Sequence, residues 1–239
     1  MDYALSGHDN PAEKYRDVTK LLKAMYGDVN ERDFVISHVL NKSLFEFIVA
    51  TVLSQNTSDK NALKALNHLK KVLEGDLSPE KIARLSYEEL IDAVKPAGMQ
   101  EVRSKIIREL AEFFLDEERV KSLINEINSG DIEYARLVLK SLPGVGDKTA
   151  DVVLLMYLGK PTFPVDTHIA RITNRLTGET RKSYAEIRRF WMKILEPKDY
   201  LITHLLLITH GRKTCKSKRP LCNRCLLKTM CSFYQSTKA

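Results

Sequence analysis

The segment 142–150, with the sequence LPGVGDKTA, constrains the fold most, because it sets a glycine turn between two stretches of helical periodicity. We predict helices over 132–142 and 147–158. Gly144 and Gly146 permit a positive φ or a close backbone approach. The second helix begins in the turn, so its first N–H groups point outward and favour an anion such as phosphate.

Lys148 is an unusual residue for the first turn of this second helix. A cation there opposes the helix dipole, and the same field favours the neutral amine that a nucleophile needs. The alternative is an ordinary helix–helix turn that carries a solvated lysine.

The remainder of the chain also has helical periodicity, and we identify no strand and no repeat, so we predict an all-α fold. One helix is expected over 12–26 and another from Tyr200 to Thr209, stopping at Gly211. Helix starts are indicated at the following residues: Ser43, Asp59, Ser78 before Pro79, Ser86 with Glu89, Ser104, and Ser183 with Glu186.

Charge and hydrophobicity narrow the classes of partner. Lys and Arg number 38 against 31 Asp and Glu, a net charge of +7 that favours a polyanion. No apolar run reaches the length of a membrane span. The acidic N-terminal segment resembles neither a signal peptide nor a transit peptide. We expect an intracellular protein of the cytoplasm or nucleoid, acting as a monomer.

Four cysteines lie close together near the C-terminus, at Cys215, Cys222, Cys225 and Cys231. Four thiolates in a short loop can hold zinc or a [4Fe–4S] cluster, and the spacing alone leaves both open. Disulfides are disfavoured in a reducing compartment. The loop is basic, and we expect phosphate contacts from Arg212, Lys213, Lys218 and Arg219, the alternative being a solvated surface.

Asp166 lies 18 residues beyond Lys148. The intervening helix carries the chain roughly 16 Å away, and residues 159–166 can span about 26 Å when extended, which is enough to return. Local sequence predicts that Asp166 or Thr167 caps a helix. His168 is expected to be a hydrogen-bonded structural residue rather than a base.

The segment 142–150 resembles the helix–hairpin–helix of the endonuclease III family of DNA repair glycosylases, matching Leu-Pro-Gly-Val-Gly-x-Lys-Thr-Ala throughout. The Val-Asp-Thr-His run at 165–168 and the four-cysteine spacing are similar to that family as well. The resemblance implies that Lys148 is the nucleophile, that Asp166 is catalytic and that the cysteines hold a [4Fe–4S] cluster. It also implies that Gly144, Val145 and Gly146 contact DNA.

The resemblance further implies a six-helix domain over 42–158. A second helical domain would comprise 1–41 and 159–239 and carry the cluster loop, 212–231. The implied activity is that of a bifunctional DNA glycosylase and apurinic/apyrimidinic lyase, which removes oxidised pyrimidines from duplex DNA. A mismatch-specific T/G or U/G glycosylase is one alternative, although those branches usually lack the lysine. A non-catalytic helix-hairpin-helix DNA-binding protein is the other.

Base removal from a duplex requires the base to leave the stack, and other residues must fill the gap. By resemblance, the gap-filling position falls on Gln55 or Asn56, and Met99 takes the position of an apolar wedge. The family has a lysine or arginine about five residues beyond the glycine before this wedge. Here Arg103 lies five residues after Gly98, whereas Lys105 lies seven after it.

Overall fold

The computed structural model describes residues 11–29, 34–179 and 182–237. Within these ranges the chain is helical without a β-strand, which confirms the predicted all-α class. None of the described helices combines the length and apolarity needed to cross a bilayer. Contacts divide the chain into a central unit, residues 30–160, and a terminal unit, residues 1–29 with 161–239.

The described part of the central unit contains eight α-helices. Two 3₁₀ turns, Val35–Val39 and Lys95–Ala97, and a π-helical turn, Val153–Tyr157, complete it. The helices are α3 (Leu44–Ser54), α4 (Asp59–Val72), α5 (Pro79–Arg84), α6 (Tyr87–Val94), α7 (Gln100–Phe114), α8 (Glu117–Ser129), α9 (Ile132–Lys140) and α10 (Asp147–Val152).

Helix α3 forms the centre of this unit, since every residue from Phe45 to Leu53 is buried. A helix that is apolar on almost every side is stable only when other elements cover all of its faces. The Ser43 hydroxyl accepts the Glu46 N–H and caps the helix, as expected. Helices α4 and α7 and the π turn pack around α3. The α3 C-terminus and the start of α10 therefore belong to one closely packed core.

The terminal unit is made from the two ends of the chain. Its helices are α1 (Pro11–Lys14), α2 (Val18–Tyr26), α11 (Thr167–Thr177), α12 (Tyr184–Ile194), α13 (Tyr200–Lys213) and α14 (Ser232–Ser236). Helix α13 packs against both α2 and α11. Trp191 is fully buried, lies 5.8 Å from the Phe163 ring and donates its indole N–H to Thr173. This core fixes the extended segment that precedes α11.

Local signals predicted several helix starts correctly. The capping boxes at Ser86–Glu89 and Ser183–Glu186 are confirmed. Ser58 rather than Asp59 caps α4, because its hydroxyl accepts the Asn61 N–H.

Other local predictions were wrong. Ser104 lies buried inside α7, which already begins at Gln100. Ser78 does occupy the N-cap position before Pro79, where α5 begins as expected, although its side chain forms no capping hydrogen bond. The helix over 12–26 is interrupted between α1 and α2. Helix α13 runs through Gly211, where the His168 side chain packs so closely that a Cβ would lie 2.6 Å from it. Helix α8 has no counterpart among the predicted helices.

Candidate active site

The turn between α9 and α10 depends on one glycine. Gly144 has φ +70°, and a Cβ there would lie 2.4 Å from Cγ2 of Ile106. Val145 is buried, and its N–H donates to the Leu142 carbonyl across 3.2 Å. Only glycine satisfies both the backbone angle and the contact with Ile106.

Gly146 is structurally different from Gly144, although both belong to the same motif. Its φ of −94° and ψ of −174° are open to any residue, and no atom lies within 4 Å of the position that a Cβ would occupy. Of the two properties that a glycine permits, Gly146 therefore does not use positive φ, and its open surface leaves room for a close backbone approach. Its missing side chain leaves open surface directly before the first turn of α10.

A buried ion pair locks α9 to α10. Asp151 has no exposed surface, and its carboxylate accepts Nε of Arg136 at 2.9 Å. Arg136 also contacts Asp147 at 3.2 Å, and Lys140 contacts Asp147 at 2.7 Å. A buried carboxylate requires such a partner. The network holds the hairpin rigid, and it balances the negative charge of Asp147 beside the turn.

The predicted nucleophile, Lys148, lies half-buried in the first turn of α10. Both neighbours of this residue are fixed, because Asp147 belongs to the ion network and the buried Thr149 accepts the Gln55 side-chain N–H at 3.3 Å. Downstream, the helix changes to the π turn at Val153, a distortion that is common at functional sites. The structure thus places this lysine on a rigid backbone.

The predicted catalytic acid, Asp166, is the N-cap of α11. Its Oδ1 accepts the Ile169 N–H at 2.8 Å, so the expected cap is confirmed, and the side chain stays partly exposed. The segment before it is held because Val165 is buried and the Pro164 carbonyl bonds to Nδ1 of His204 at 3.0 Å. The cap uses one carboxylate oxygen and fixes the direction of the other.

His168 is packed and hydrogen-bonded. Its Nδ1 lies 3.0 Å from a terminal nitrogen of Arg171. Burial lowers the pKa of His168 below its ordinary value of 6.5, and this outweighs the opposite influence of Asp166. These contacts agree with the structural role expected for this histidine.

Two loops of the central unit carry the predicted gap-filling residues. We call residues 55–58 the first gap loop and residues 97–99 the second gap loop. In the first, the Gln55 side chain donates to the Gly144 carbonyl at 2.9 Å, whereas Asn56 is exposed with φ +51°. In the second, Met99 has φ +50° and is 54% exposed. Each loop therefore presents one exposed tip residue in a left-handed conformation.

The four cysteines line one small pocket of the terminal unit, together with Arg175 and His210. Burial raises the pKa of Cys225 to about 11, and burial and the neighbouring thiols raise that of Cys222. Arg175 donates to Sγ of Cys215 at 3.3 Å. Among the described residues, no set of three potential ligands already has metal-binding geometry. The donor set nevertheless suits a thiophilic centre, because four thiols face one shared space.

The predicted phosphate contacts flank this pocket. Arg212 and Lys213 occupy the exposed last turn of α13. Lys218 and Arg219 are exposed between the first two cysteines, and Arg219 has φ +50°. Arg175 donates to the Lys216 and Ser217 carbonyls at 2.7 and 2.9 Å, which fixes the backbone of this basic loop.

Comparison with known proteins identifies the family. Residues 49–197 match the family described as HhH-GPD superfamily base excision DNA repair protein. The endonuclease III of Sulfolobus acidocaldarius is 37% identical over 213 residues, which cover 86% of this chain and 90% of that protein. This chain belongs to the endonuclease III family. The endonuclease III of Thermotoga maritima is 34% identical over 80% of this chain and 84% of that protein.

A solved structure of endonuclease III agrees with this assignment. A trapped endonuclease III–DNA covalent intermediate, an estranged-adenine complex, has a TM-score of 0.77 at 27% identity. The similarity covers 95% of this chain and 99% of that chain. The predicted family and helix-hairpin-helix fold are confirmed.

Unusual backbone angles coincide with residues predicted to contact DNA in this member of the endonuclease III family. Four non-glycine residues have positive φ within the described ranges, namely Asn56, Glu74, Met99 and Arg219. Three of the four are predicted DNA contacts. Such conformations cost free energy and concentrate at functional sites.

Sequence reasoning about this endonuclease III relative missed the ion pair of Arg136 with Asp151. The available signal was an aspartate within the apolar run 150–154, where a charged side chain requires a buried partner. The identity of that partner could not be deduced, because it lies 15 residues away in the chain.

Proposed function

We propose that this chain removes oxidised pyrimidines from duplex DNA and then cleaves the strand at the resulting site, as a bifunctional DNA glycosylase and apurinic/apyrimidinic lyase. The observation that carries the proposal is Lys148 in the first turn after the hairpin of an endonuclease III relative. Its DNA substrate would place the protein at the nucleoid.

In the proposed mechanism, neutral Nζ of Lys148 attacks C1′ of the damaged nucleotide. The new C–N bond forms as the glycosidic bond breaks, and the base leaves with the bonding electron pair. Opening of the sugar ring gives a Schiff base between Lys148 and C1′. Loss of a C2′ proton leaves its electron pair on the iminium as an enamine. That pair then forms the C2′–C3′ double bond, and the 3′ phosphate leaves with the electrons of the C3′–O bond.

Asp166 would act as the electrostatic partner of this step. Its carboxylate stabilises positive charge at the sugar as the base departs, or accepts the proton that the lysine must lose. Its role as the cap of α11 supports this assignment, because one oxygen is anchored and the other has a fixed direction.

The hairpin and the gap loops would hold the duplex. The backbone at Gly144, Val145 and Gly146 would receive a phosphate, and open space at Gly146 supports such an approach. Of the two amides left open by the sequence, we assign the gap-filling role to Asn56. Gln55 is already committed to the Gly144 carbonyl and Thr149.

The four cysteines would hold a [4Fe–4S] cluster, as the family resemblance implies. If bound there, the cluster would be held by the four cysteine thiolates, and its ligation would stiffen the basic loop and add a redox-active centre to it. Arg212, Lys213, Lys218 and Arg219 would then face phosphate from a fixed backbone.

Borohydride trapping tests the proposal. The protein should form a covalent adduct with abasic duplex DNA, and Lys148→Gln should abolish the adduct while DNA binding survives. Asp166→Asn should slow base removal. An adduct of full yield in Lys148→Gln would refute the assignment.

Two further measurements separate the alternatives. Base removal from T/G and U/G duplexes, measured in parallel with base removal from an oxidised-pyrimidine duplex, tests for the mismatch glycosylase. Iron and zinc analysis of the purified protein, together with its visible absorption, distinguishes a cluster from a zinc site.

A further inference from the structure

Arg103 has an unusual environment for a charged side chain. It projects from α7, is 3% exposed, and the hydrogen bonds of its guanidinium go to backbone carbonyls rather than to a carboxylate. A buried charge of this kind is costly unless polar groups surround it. Burial lowers the pKa of the guanidinium, in accord with this environment.

The carbonyls that Arg103 contacts belong to two separate segments. In α3 and the first gap loop it donates to the carbonyls of Val52 and Gln55. In the second gap loop, Nε donates to the Gly98 carbonyl at 2.7 Å, and a terminal nitrogen lies 3.4 Å from that of Ala97. One side chain thus joins both gap loops through their main chains.

Two of these carbonyls lie immediately before the loop tips. The Gln55 carbonyl belongs to the peptide bond that leads into Asn56, and the Gly98 carbonyl to the one that leads into Met99. Both tip residues have left-handed backbones, near +50° in φ. The backbone N–H of Arg103 donates to the Met99 carbonyl at 3.0 Å in the first turn of α7, whereas the contacts with the Gln55 and Gly98 carbonyls come from the side chain. Contacts of this kind over-determine conformations that would otherwise relax.

We propose that Arg103 is a positioning residue that couples the two gap loops, so that Asn56 and Met99 enter the same opened base pair as one unit. The inference rests on the proposed function. It adds that the separation of the two tips is set by a single guanidinium and not by each loop independently.

The chemistry of the guanidinium explains why arginine suits this position. It is planar and presents five N–H donors in a fixed fork, which allows it to span two loops. A lysine keeps the charge, but its donors diverge from one nitrogen at the end of a flexible stem. Arg103→Lys should therefore preserve the fold and loosen the coupling.

The test compares Arg103→Lys with Arg108→Lys. Arg108 is the matched control, because it also projects from α7 and donates to two carbonyls, those of Ala83 and Leu85, outside the gap loops. Single-turnover base removal from a duplex should fall on the order of tenfold to a hundredfold in Arg103→Lys. Borohydride trapping on single-stranded abasic DNA, where no gap must be filled, should stay within about twofold of wild type. Arg108→Lys should match wild type in both assays.

A fluorescence measurement provides a readout that needs no catalysis. A duplex carries an inert tetrahydrofuran abasic analogue opposite 2-aminopurine, whose emission rises when the base is unstacked. Saturating wild-type protein should raise the emission, and Arg103→Lys at saturation should give a clearly smaller rise.

Several results would overturn the proposal. One is unchanged base removal from the duplex in Arg103→Lys. Another is an equal loss of duplex base removal and single-strand trapping in Arg103→Lys, together with a fluorescence rise as large as that of wild type. The proposal would also be overturned if wild-type protein caused no rise in 2-aminopurine emission. If wild type raises the emission but neither removes bases nor forms an adduct, the proposed function fails, and the fluorescence comparison still decides the role of Arg103.

A second route applies if circular dichroism shows that Arg103→Lys does not fold. Asn56→Ala, Met99→Ala and the double variant are then compared in duplex base removal. Coupled tips should give a double variant little worse than the poorer single variant. Losses that multiply would show independent loops and contradict the proposal.

Discussion

Substitution by alanine should have different effects on stability at the two glycines of the hairpin, Gly144 and Gly146. At Gly144, alanine must adopt φ +70° and place its Cβ 2.4 Å from Cγ2 of Ile106. The left-handed backbone costs about 1 kcal/mol or slightly more, and relief of the overlap costs about 2 kcal/mol. We therefore expect Gly144→Ala to lower the free energy of unfolding by about 3 kcal/mol, or the Tm by about 10 °C in a chain of this size.

Gly146→Ala is the matched control. Gly146 already has an extended backbone and open space around its Cβ position, so alanine should leave the Tm unchanged or raise it slightly. Thermal unfolding followed by circular dichroism compares the two variants directly. Introduced into Ile106→Ala, the Gly144→Ala change should cost only its backbone part relative to Ile106→Ala alone, since Cγ2 is removed. Equal melting of Gly144→Ala and wild type, or equal losses at both glycines, would refute the reasoning.

Two further predictions concern stability. Arg136→Met should lower the free energy of unfolding by about 3 kcal/mol, because it leaves the Asp151 carboxylate buried without its arginine. Arg119→Met is the control, since Arg119 pairs with Asp116 at the exposed surface, and it should leave the thermal melt close to that of wild type. His168 should make stability fall as the pH drops through about 6.5, because the unfolded chain takes up a proton that the folded side chain resists. His168→Gln should make that decline less steep in urea unfolding across this range, and an unchanged slope would contradict the assignment.

Local sequence was sufficient wherever the physical cause is local. The Ser43 cap and the boxes at Ser86 and Ser183 depend on groups three residues apart, so the pattern itself predicts the hydrogen bonds. The hairpin, the Asp166 cap and the all-α class were predictable for the same reason. Ser104 failed as a start signal, because a buried serine inside α7 and a capping serine look alike in sequence.

Only the tertiary structure decided which side chains meet across long separations. Arg103 reaches the Val52 carbonyl 51 residues away, and Gln55 reaches the Gly144 carbonyl 89 residues away. Neither contact leaves a periodic or spacing signal, because a backbone carbonyl is present at every residue and its identity as a partner depends on packing alone. The sequence therefore determined the helices and the family to which the hairpin belongs, whereas packing determined that Gln55 is occupied, that Asn56 and Met99 form the exposed tips, and that one arginine joins their loops.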